Sequence, residues 1–434
     1  MSRFCHALVS RLRDREEGWL IIEIMISAVV LVVGALAIYS GLDGASKTSG
    51  KNRNRTEASI LAQQDQERMR TMDATALSNY TRVATVKVGN LQYKVTSTAT
   101  YVSDGSGAVS CTNASTTAQY LRIRSSVDDP TGQNAPVVED SLLSPKPADG
   151  GAAVQIVGRG GTGIQGIPIT LAEAPSTSLT TDSQGCALFG FLDTATDYGV
   201  NFSKTGYVDP SGQNVFTNAP ITQVPGSTTL TQFQYDQAGT ITASIVTSPS
   251  GLTATADTLS AFDTHIPGAQ FRTFAISGGS SSATNLFPFT DAYTFYAGPC
   301  LPQKPPASST KIATKIVTPG SSQTVTVTEP AVKVTVKDGS GNLVNGAQVW
   351  LTSSDTGCAD SYGVSPDPAL TTNSSGVFQQ GFPYGHYRVC VKTGSGFSTR
   401  YGWADATNTS DNGVTVPTIT ANTASSSRDT DYCP

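Results

Sequence analysis

The spacing of apolar and polar positions changes character twice along the chain. From Trp19 to Leu42, 24 residues carry one charge, Glu23. As a helix rising about 1.5 Å per residue, this run reaches about 36 Å, enough for the roughly 30 Å hydrocarbon core of a bilayer. No later stretch is comparable, so the pattern predicts one membrane span. Residues 55–78, "RTEASILAQQDQERMRTMDATALS", then place Ala58, Leu61, Ala62, Met69, Met72 and Ala76 at helical spacing, with Arg, Glu, Gln and Asp on the other side. That stripe predicts an amphipathic helix laid on a sheet. No proline occurs from Met1 to Asp129. One helix from Trp19 to about Asn79 would be on the order of 90 Å long. Gly41, Gly44 and Gly50 predict bending or loosening in its middle.

From Val83 the period becomes two. "VGNLQYKVTSTATYV" and "AQYLRIRSSV" alternate in the manner of strands and predict a small antiparallel sheet over 80–147. "SPKPADGG" then marks a boundary. Beyond it the pattern repeats. Residues 181–207 and 372–394 each place a polar turn ending in Gly, a strand, a short loop and an aromatic-rich strand. Each is preceded by a related hairpin, "GIQGIPITL" in one case and "GNLVNGAQVWL" in the other. Residues 286–300, "LFPFTDAYTFYAGPC", echo the closing half. The reading is three β-modules over 148–228, 229–329 and 330–434. A period of about 100 residues means separate modules rather than a solenoid. "PQKPPASS" (302–309) predicts a Pro-rich, semi-rigid linker at the end of the second module.

Composition adds constraints. Charged residues are 14% of the 434, against about 25% in a typical soluble domain. The net charge of −5 offers no basic excess for nucleic acid. Cys5 precedes the apolar run, and Cys111, Cys186, Cys300, Cys358, Cys390 and Cys433 follow it. None of these forms a C-x-x-C, so no zinc knuckle or thioredoxin-type site is expected. An even number beyond a span predicts up to three disulfides outside the cytoplasm. Six cysteines allow 15 connectivities, and spacing does not choose among them. At least one bridge is expected to join two of Cys358, Cys390 and Cys433.

Candidate chemistry is sparse. Gly158-x-Gly160-x-x-Gly163 follows a strand and nominally matches a dinucleotide fingerprint, but such a loop must open a helix. Here Gly166, Pro168 and a second strand follow, so the glycines read as a strand–turn–strand connection. His265 and His386 have no metal-ligand spacing and no G-x-S-x-G partner. The turns at Asp128–Asp129, Asp182, Asp209 and Asp338 lack the one-three-five spacing of a calcium loop. The sequence predicts no catalytic residue, no metal site, no cofactor and no enzymatic activity.

The apolar run itself is more specific. A secretory signal has an apolar region of about 7–15 residues closed by an A-x-A-like site. Here the run is longer, and the candidate cut, Gly18, lies before it. The preceding flank carries Arg3, Arg11, Arg13 and Arg15, which favours its retention in the cytoplasm. Glu23 can snorkel to the headgroups. Alternatively, cleavage after Gly18 frees the Trp19 amine, a cation that Glu23 of a neighbouring subunit can pair with, offsetting the desolvation of both.

Gly18, Trp19, Leu20-Ile21-Ile22 and Glu23, followed by Ile24-Met25-Ile26-Ser27-Ala28, resemble the class III leader junction of type IV pilins and type II secretion pseudopilins. The resemblance covers about 25 residues. It implies a leader over 1–18 and a prepilin peptidase that cuts between Gly18 and Trp19 and methylates the Trp19 amine. It implies assembly with other pilin subunits through Glu23 and the N-terminal helix. It also implies an α+β layout: a long helix over 19–79, transmembrane over about 19–42, packed on the small sheet and followed by all-β sandwich domains. Trp19 stands where Phe is usual, and Ser40 where many major pilins carry a kinking proline. Residues 150–228 and 330–395 resemble the carboxypeptidase regulatory-like, transthyretin-like family of sandwiches. They are also similar to repeat domains of Gram-positive surface adhesins.

The leading expectation is therefore a minor pilin-like subunit, single-pass in the plasma (inner) membrane with its C-terminal part outside the cytoplasm, then part of a cell-surface filament. Two alternatives stand beside it. One is an adhesin or carbohydrate-binding module on a pilin-type anchor, with a surface glycan or protein as ligand. The other is a minor pseudopilin of a type II secretion or DNA-uptake system.

Overall fold

The computed structural model describes residues 17–72, 75–77, 80–103, 107–108, 111, 119–132, 134–144, 149–364, 369–428, 430 and 433. The chain divides into two compact units, Met1–Val109 with Thr117–Asp149, and Ser110–Thr116 with Gly150–Pro434. A long N-terminal helix followed by β-sheets is the architecture.

In the first unit, helix α1 runs unbroken from Glu17 to Arg70, 54 residues, or about 81 Å. It does not loosen at Gly41, Gly44 or Gly50, which stand in open space within it. Each glycine costs only about 1 kcal/mol against alanine, while propagation adds a hydrogen bond per residue. Helix formation ends near Arg70 rather than Asn79. Met72 N–H turns back to the Met69 carbonyl, and a 3₁₀ turn, Thr75–Leu77, buries Leu77 completely. The predicted stripe holds at Ala58, Leu61, Ala62 and Met69, all buried, whereas Ala76 is exposed and Leu77 takes the inward position.

The sheet of this unit has the order β1-β2-β4-β5, with β3 added beside β2. Its strands are β1 (Thr81–Val88), β2 (Leu91–Ser103), β3 (Gly107–Ala108), β4 (Gln119–Asp128) and β5 (Val137–Leu143), all antiparallel. Ala58, Leu61 and Ala62 share a core with Tyr93, Val95 and Val127. Two polar side chains on the buried helix face are fully engaged, as burial requires. Gln66 donates to the carbonyls of Ile123 (3.0 Å) and Glu139 (2.7 Å) and accepts from Ser141 Oγ (2.6 Å). Asp65 accepts from Ser97 Oγ and Arg68, both at 2.7 Å.

The second unit opens with β6 (Asp149–Val157), β7 (Pro168–Leu171), β8 (Ala174–Thr180), β9 (Cys186–Asp193), β10 (Tyr198–Ser203), β11 (Tyr207–Val208), β12 (Val215–Ile221), β13 (Thr228–Gln234) and β14 (Asp236–Gln237). A four-stranded sheet, β12-β10-β7-β8, and a three-stranded one, β13-β6-β9, enclose a core with Val154, Ile169, Phe189, Val200 and Tyr235.

Next come β15 (Gly239–Ser248), β16 (Thr258–Phe262), β17 (Phe271–Ala275), β18 (Ser280–Leu286), β19 (Tyr293–Ala297), β20 (Ala313–Lys315) and β21 (Ser322–Asp338). The last group is β22 (Gln348–Ser353), β23 (Ser361–Tyr362), β24 (Leu370–Thr371), β25 (Val377–Gly381), β26 (Gly385–Thr393), β27 (Arg400–Asn408), β28 (Val414–Thr415), β29 (Ile419–Ala421) and β30 (Thr423–Ala424). Strand β21 belongs to both groups. Its first half pairs in parallel with β15, and its second half pairs antiparallel with β25. The boundary expected between 329 and 330 thus falls inside one 17-residue strand. Inward-facing residues switch from Val327 and Glu329 to Val332, Val334 and Val336, and residues 329–332 are all buried.

The Pro-rich stretch 302–309 is not a free linker. Gln303 is completely buried and donates to Asp360 at 2.6 Å. Ser309 and Thr310 hydroxyls bond Asp411 at 2.5 and 2.7 Å.

Candidate functional site

Gly18 and Trp19 lie in the first turn of α1, and Glu23 follows one turn later. Glu23 is exposed, beside Ile24, Ser27, Ala28 and Leu31. The large apolar side chains from Ile21 to Leu42 are between 54% and 78% exposed. The most apolar window of the helix has a mean hydropathy of 2.8 and no residue buried in the protein. By length and composition it can cross a bilayer. In water, so large a continuous apolar surface marks an interaction site. From Ala58 onward the same helix buries a stripe on the sheet. One element therefore carries an unpartnered apolar half and a packed amphipathic half.

The six cysteines beyond α1 form three bridges: Cys111–Cys186, Cys300–Cys358 and Cys390–Cys433. The third joins two of the three cysteines singled out in the last module. Cys390 sits between Trp350 and Trp403 on neighbouring strands, and these tryptophans pack with Tyr401 and Cys433.

The repeated turns proved to be one motif. Asp182, Asp209, Asp338 and Asn373 each begin a D/N-x-x-G-x turn. In each, a side-chain oxygen accepts the backbone N–H groups two and four residues on, at 2.8–3.0 Å. The fourth position, Gly185, Gly212, Gly341 or Gly376, has φ between 65° and 87°, where glycine is favoured. These side-chain oxygens serve the backbone. The hydrogen bonds hold Asp338 below the usual carboxylate range.

The glycine-rich loop also serves the fold. The Asp236 carboxylate accepts Arg159 N–H at 2.7 Å, and a Cβ at Gly158 would run into it. The Arg159 N–H of this loop is thus taken by a carboxylate of the same chain. His265 Nδ1 meets Asp263 Oδ1 at 2.9 Å, and His386 Nδ1 meets Asp355 Oδ1 at 2.8 Å. Among the described residues, no three His, Cys, Asp or Glu side chains form a group suited to a metal ion.

No family model matches the chain, and no curated protein matches it. Among solved structures it is similar to the Bacillus anthracis TIE protein, with 12% identity over 75% of this chain and 71% of that one, at a TM-score of 0.20. It is similar to BcpA, the major pilin subunit of Bacillus cereus, with 13% identity over 64% of this chain and 100% of that one, at 0.16. A Streptococcal ancillary pilin gives 14% identity over 63% and 99%, at 0.18.

Sequence reasoning missed Glu329. It is completely buried on β21 and accepts the N–H groups of Thr255 (2.9 Å) and Ala256 (3.2 Å). Burial pushes its carboxyl up to about 7, against these hydrogen bonds. The signal was present: in "VTVTEPAVKV", Glu329 falls in phase with Val325 and Val327, the inward positions.

Proposed function

We propose that the chain is a non-catalytic, minor pilin-like structural subunit. A prepilin peptidase cuts it between Gly18 and Trp19 and methylates the Trp19 amine. Helix α1 anchors it in the inner membrane and then packs with other pilin subunits in a type IV pilus-like filament. The second unit is displayed outside as an array of transthyretin-like modules.

The observation that carries this reading is the division of α1. Its first half is apolar and unpartnered in the protein, directly after the Gly18 junction, and its second half is packed on a sheet. The first half needs a bilayer or neighbouring helices, and a processed subunit has both in turn. Glu23 supports the reading by position, one helical turn from the new amine. The size of the displayed array, residues 150–434, favours a minor component, because a densely repeated subunit of this size would crowd a shaft.

Glu23→Gln tests the assembly step. It keeps the shape and removes the charge, leaving the amine of a neighbouring Trp19 uncompensated at a low-dielectric contact, at a cost of a few kcal/mol. The variant should be cleaved and retained in the membrane. Its ratio of sheared-surface to membrane-bound protein should fall by about a hundredfold, since about 1.4 kcal/mol is tenfold. An unchanged ratio would mean that Glu23 only snorkels.

A further inference from the structure

The three bridges share a topological property. Each closes a loop that takes in at least one strand lying inside a sheet, together with edge strands such as β5, β8, β20 and β30. Cys111–Cys186 encloses β4, which lies between β2 and β5, and β6, which lies between β13 and β9. Cys111 falls in sequence between β3 and β4 yet groups with the second unit. The bridge thus closes a loop containing strands of both units. Cys300–Cys358 encloses β21, the strand common to two modules, which lies between β15 and β25. Cys390–Cys433 encloses β27, between β26 and β30.

We infer that the displayed part of the chain is a tension-bearing tether whose interior strands are held off the covalent load path. The inference rests on the reading that α1 is anchored and that the far modules are pulled from outside. Tension entering from α1 runs through β1–β3 to Cys111, crosses the sulfurs to Cys186, and continues to Cys300. There it crosses to Cys358, and at Cys390 it crosses to Cys433. Peptide bonds inside a closed loop carry no covalent tension while its bridge is intact. Strands β4, β6, β21 and β27 therefore cannot be drawn out end to end. A pulled module loses β9, β15 or β25, while the strand each must pair with again stays in its loop. Strand β21 matters most, because β15 of one module and β25 of the next both pair with it.

Two consequences can be measured. The loops span 75, 58 and 43 residues. At about 3.3–3.6 Å per extended residue, they withhold about 260, 200 and 150 Å, or about 600 Å in all. Re-forming a module is also faster, since the bridges have already removed part of the loop-closure entropy.

The experiment stretches the full chain in detergent between peptide tags at the start of α1 and after residue 434. It uses optical tweezers and compares the oxidised protein with the same protein reduced in place. Because the tags hold α1 directly, the outcome does not depend on membrane insertion or filament assembly. Reduction should lengthen the fully extended chain by about 600 Å. The paired change Cys300→Ser with Cys358→Ser should lengthen it by about 200 Å. After relaxation, the oxidised chain should regain its unfolding steps at least tenfold faster than the reduced chain. Equal extension in the two states, or equal recovery rates, would overturn the inference. In-place reduction acts on protein already folded, so a variant that fails to fold does not decide the matter.

Discussion

The hydroxyls of Thr181 and Thr372 make the same pair of hydrogen bonds in two modules of one chain. Thr181 Oγ1 accepts Ile167 N–H at 2.9 Å and donates to the Ile164 carbonyl at 2.7 Å. Thr372 Oγ1 accepts Ala347 N–H at 2.9 Å and donates to the Val344 carbonyl at 2.6 Å. Backbone bonds around them also correspond: Ile156 N–H to Gly185 O matches Val336 N–H to Gly376 O. Both threonines are nearly inaccessible. The repeat is thus a shared hydrogen-bond circuit, with D/N-x-x-G turns at its corner.

Removing either hydroxyl should therefore cost about the same. Thr181→Val or Thr372→Val leaves a buried N–H and a half-buried carbonyl without this partner, and the expected loss is about 1–3 kcal/mol. Thr→Ser at either position should recover most of it. Denaturant unfolding of the variants checks this. A loss at one site and none at the other would contradict the equivalence.

Glu329 gives the second unit a pH dependence of unusual sign. Its carboxyl is raised to about 7 in the fold from an ordinary 4.5, chiefly by burial. Between those values the folded state holds a proton that the unfolded state has released. The contribution of Glu329 is thus most favourable below about 4.5 and is lost as pH rises through 7. The loss is about 3 kcal/mol, at 1.36 kcal/mol per unit. Thermal unfolding should show higher stability at pH 6 than at pH 8, with a smaller difference in Glu329→Gln. The same slope in both proteins would place its origin elsewhere.

Gln66 fixes α1 on its sheet. Gln66→Met keeps the volume but removes the donor to Ile123 and Glu139 and the acceptor for Ser141. The first unit should lose about 1–3 kcal/mol, read as faster hydrogen exchange in β4 and β5. Unchanged exchange there would show that the apolar stripe alone holds the helix.

What the sequence revealed follows from the range of the forces involved. The α1 stripe at Ala58, Leu61, Ala62 and Met69 and the turns at Asp182 and Asn373 are local patterns, and they were legible. The end of α1 was not, because burial of Leu77, a tertiary event, decides it. The role of β21 was hidden too. A strand shared by two modules reads as one long alternation, and the proline inside it, Pro330, looks like a boundary. The stretch 302–309 has a linker's composition. Its packing depends on Gln303 meeting Asp360 and on Ser309 and Thr310 meeting Asp411, contacts between distant segments. The cysteine pairs were undetermined for the same reason. At Gly18, Trp19 and Glu23 the reading still rests on the junction's spacing and on the exposed apolar face of α1.

The most direct test of that reading is the mass and sequence of the N-terminal peptide of the protein isolated from cells. A processed pilin-like subunit predicts a chain that begins at Trp19 with a methylated amine, and retention of the leader in Gly18→Ala. An intact Met1 terminus, or a cut after the apolar run at Leu42, would contradict it.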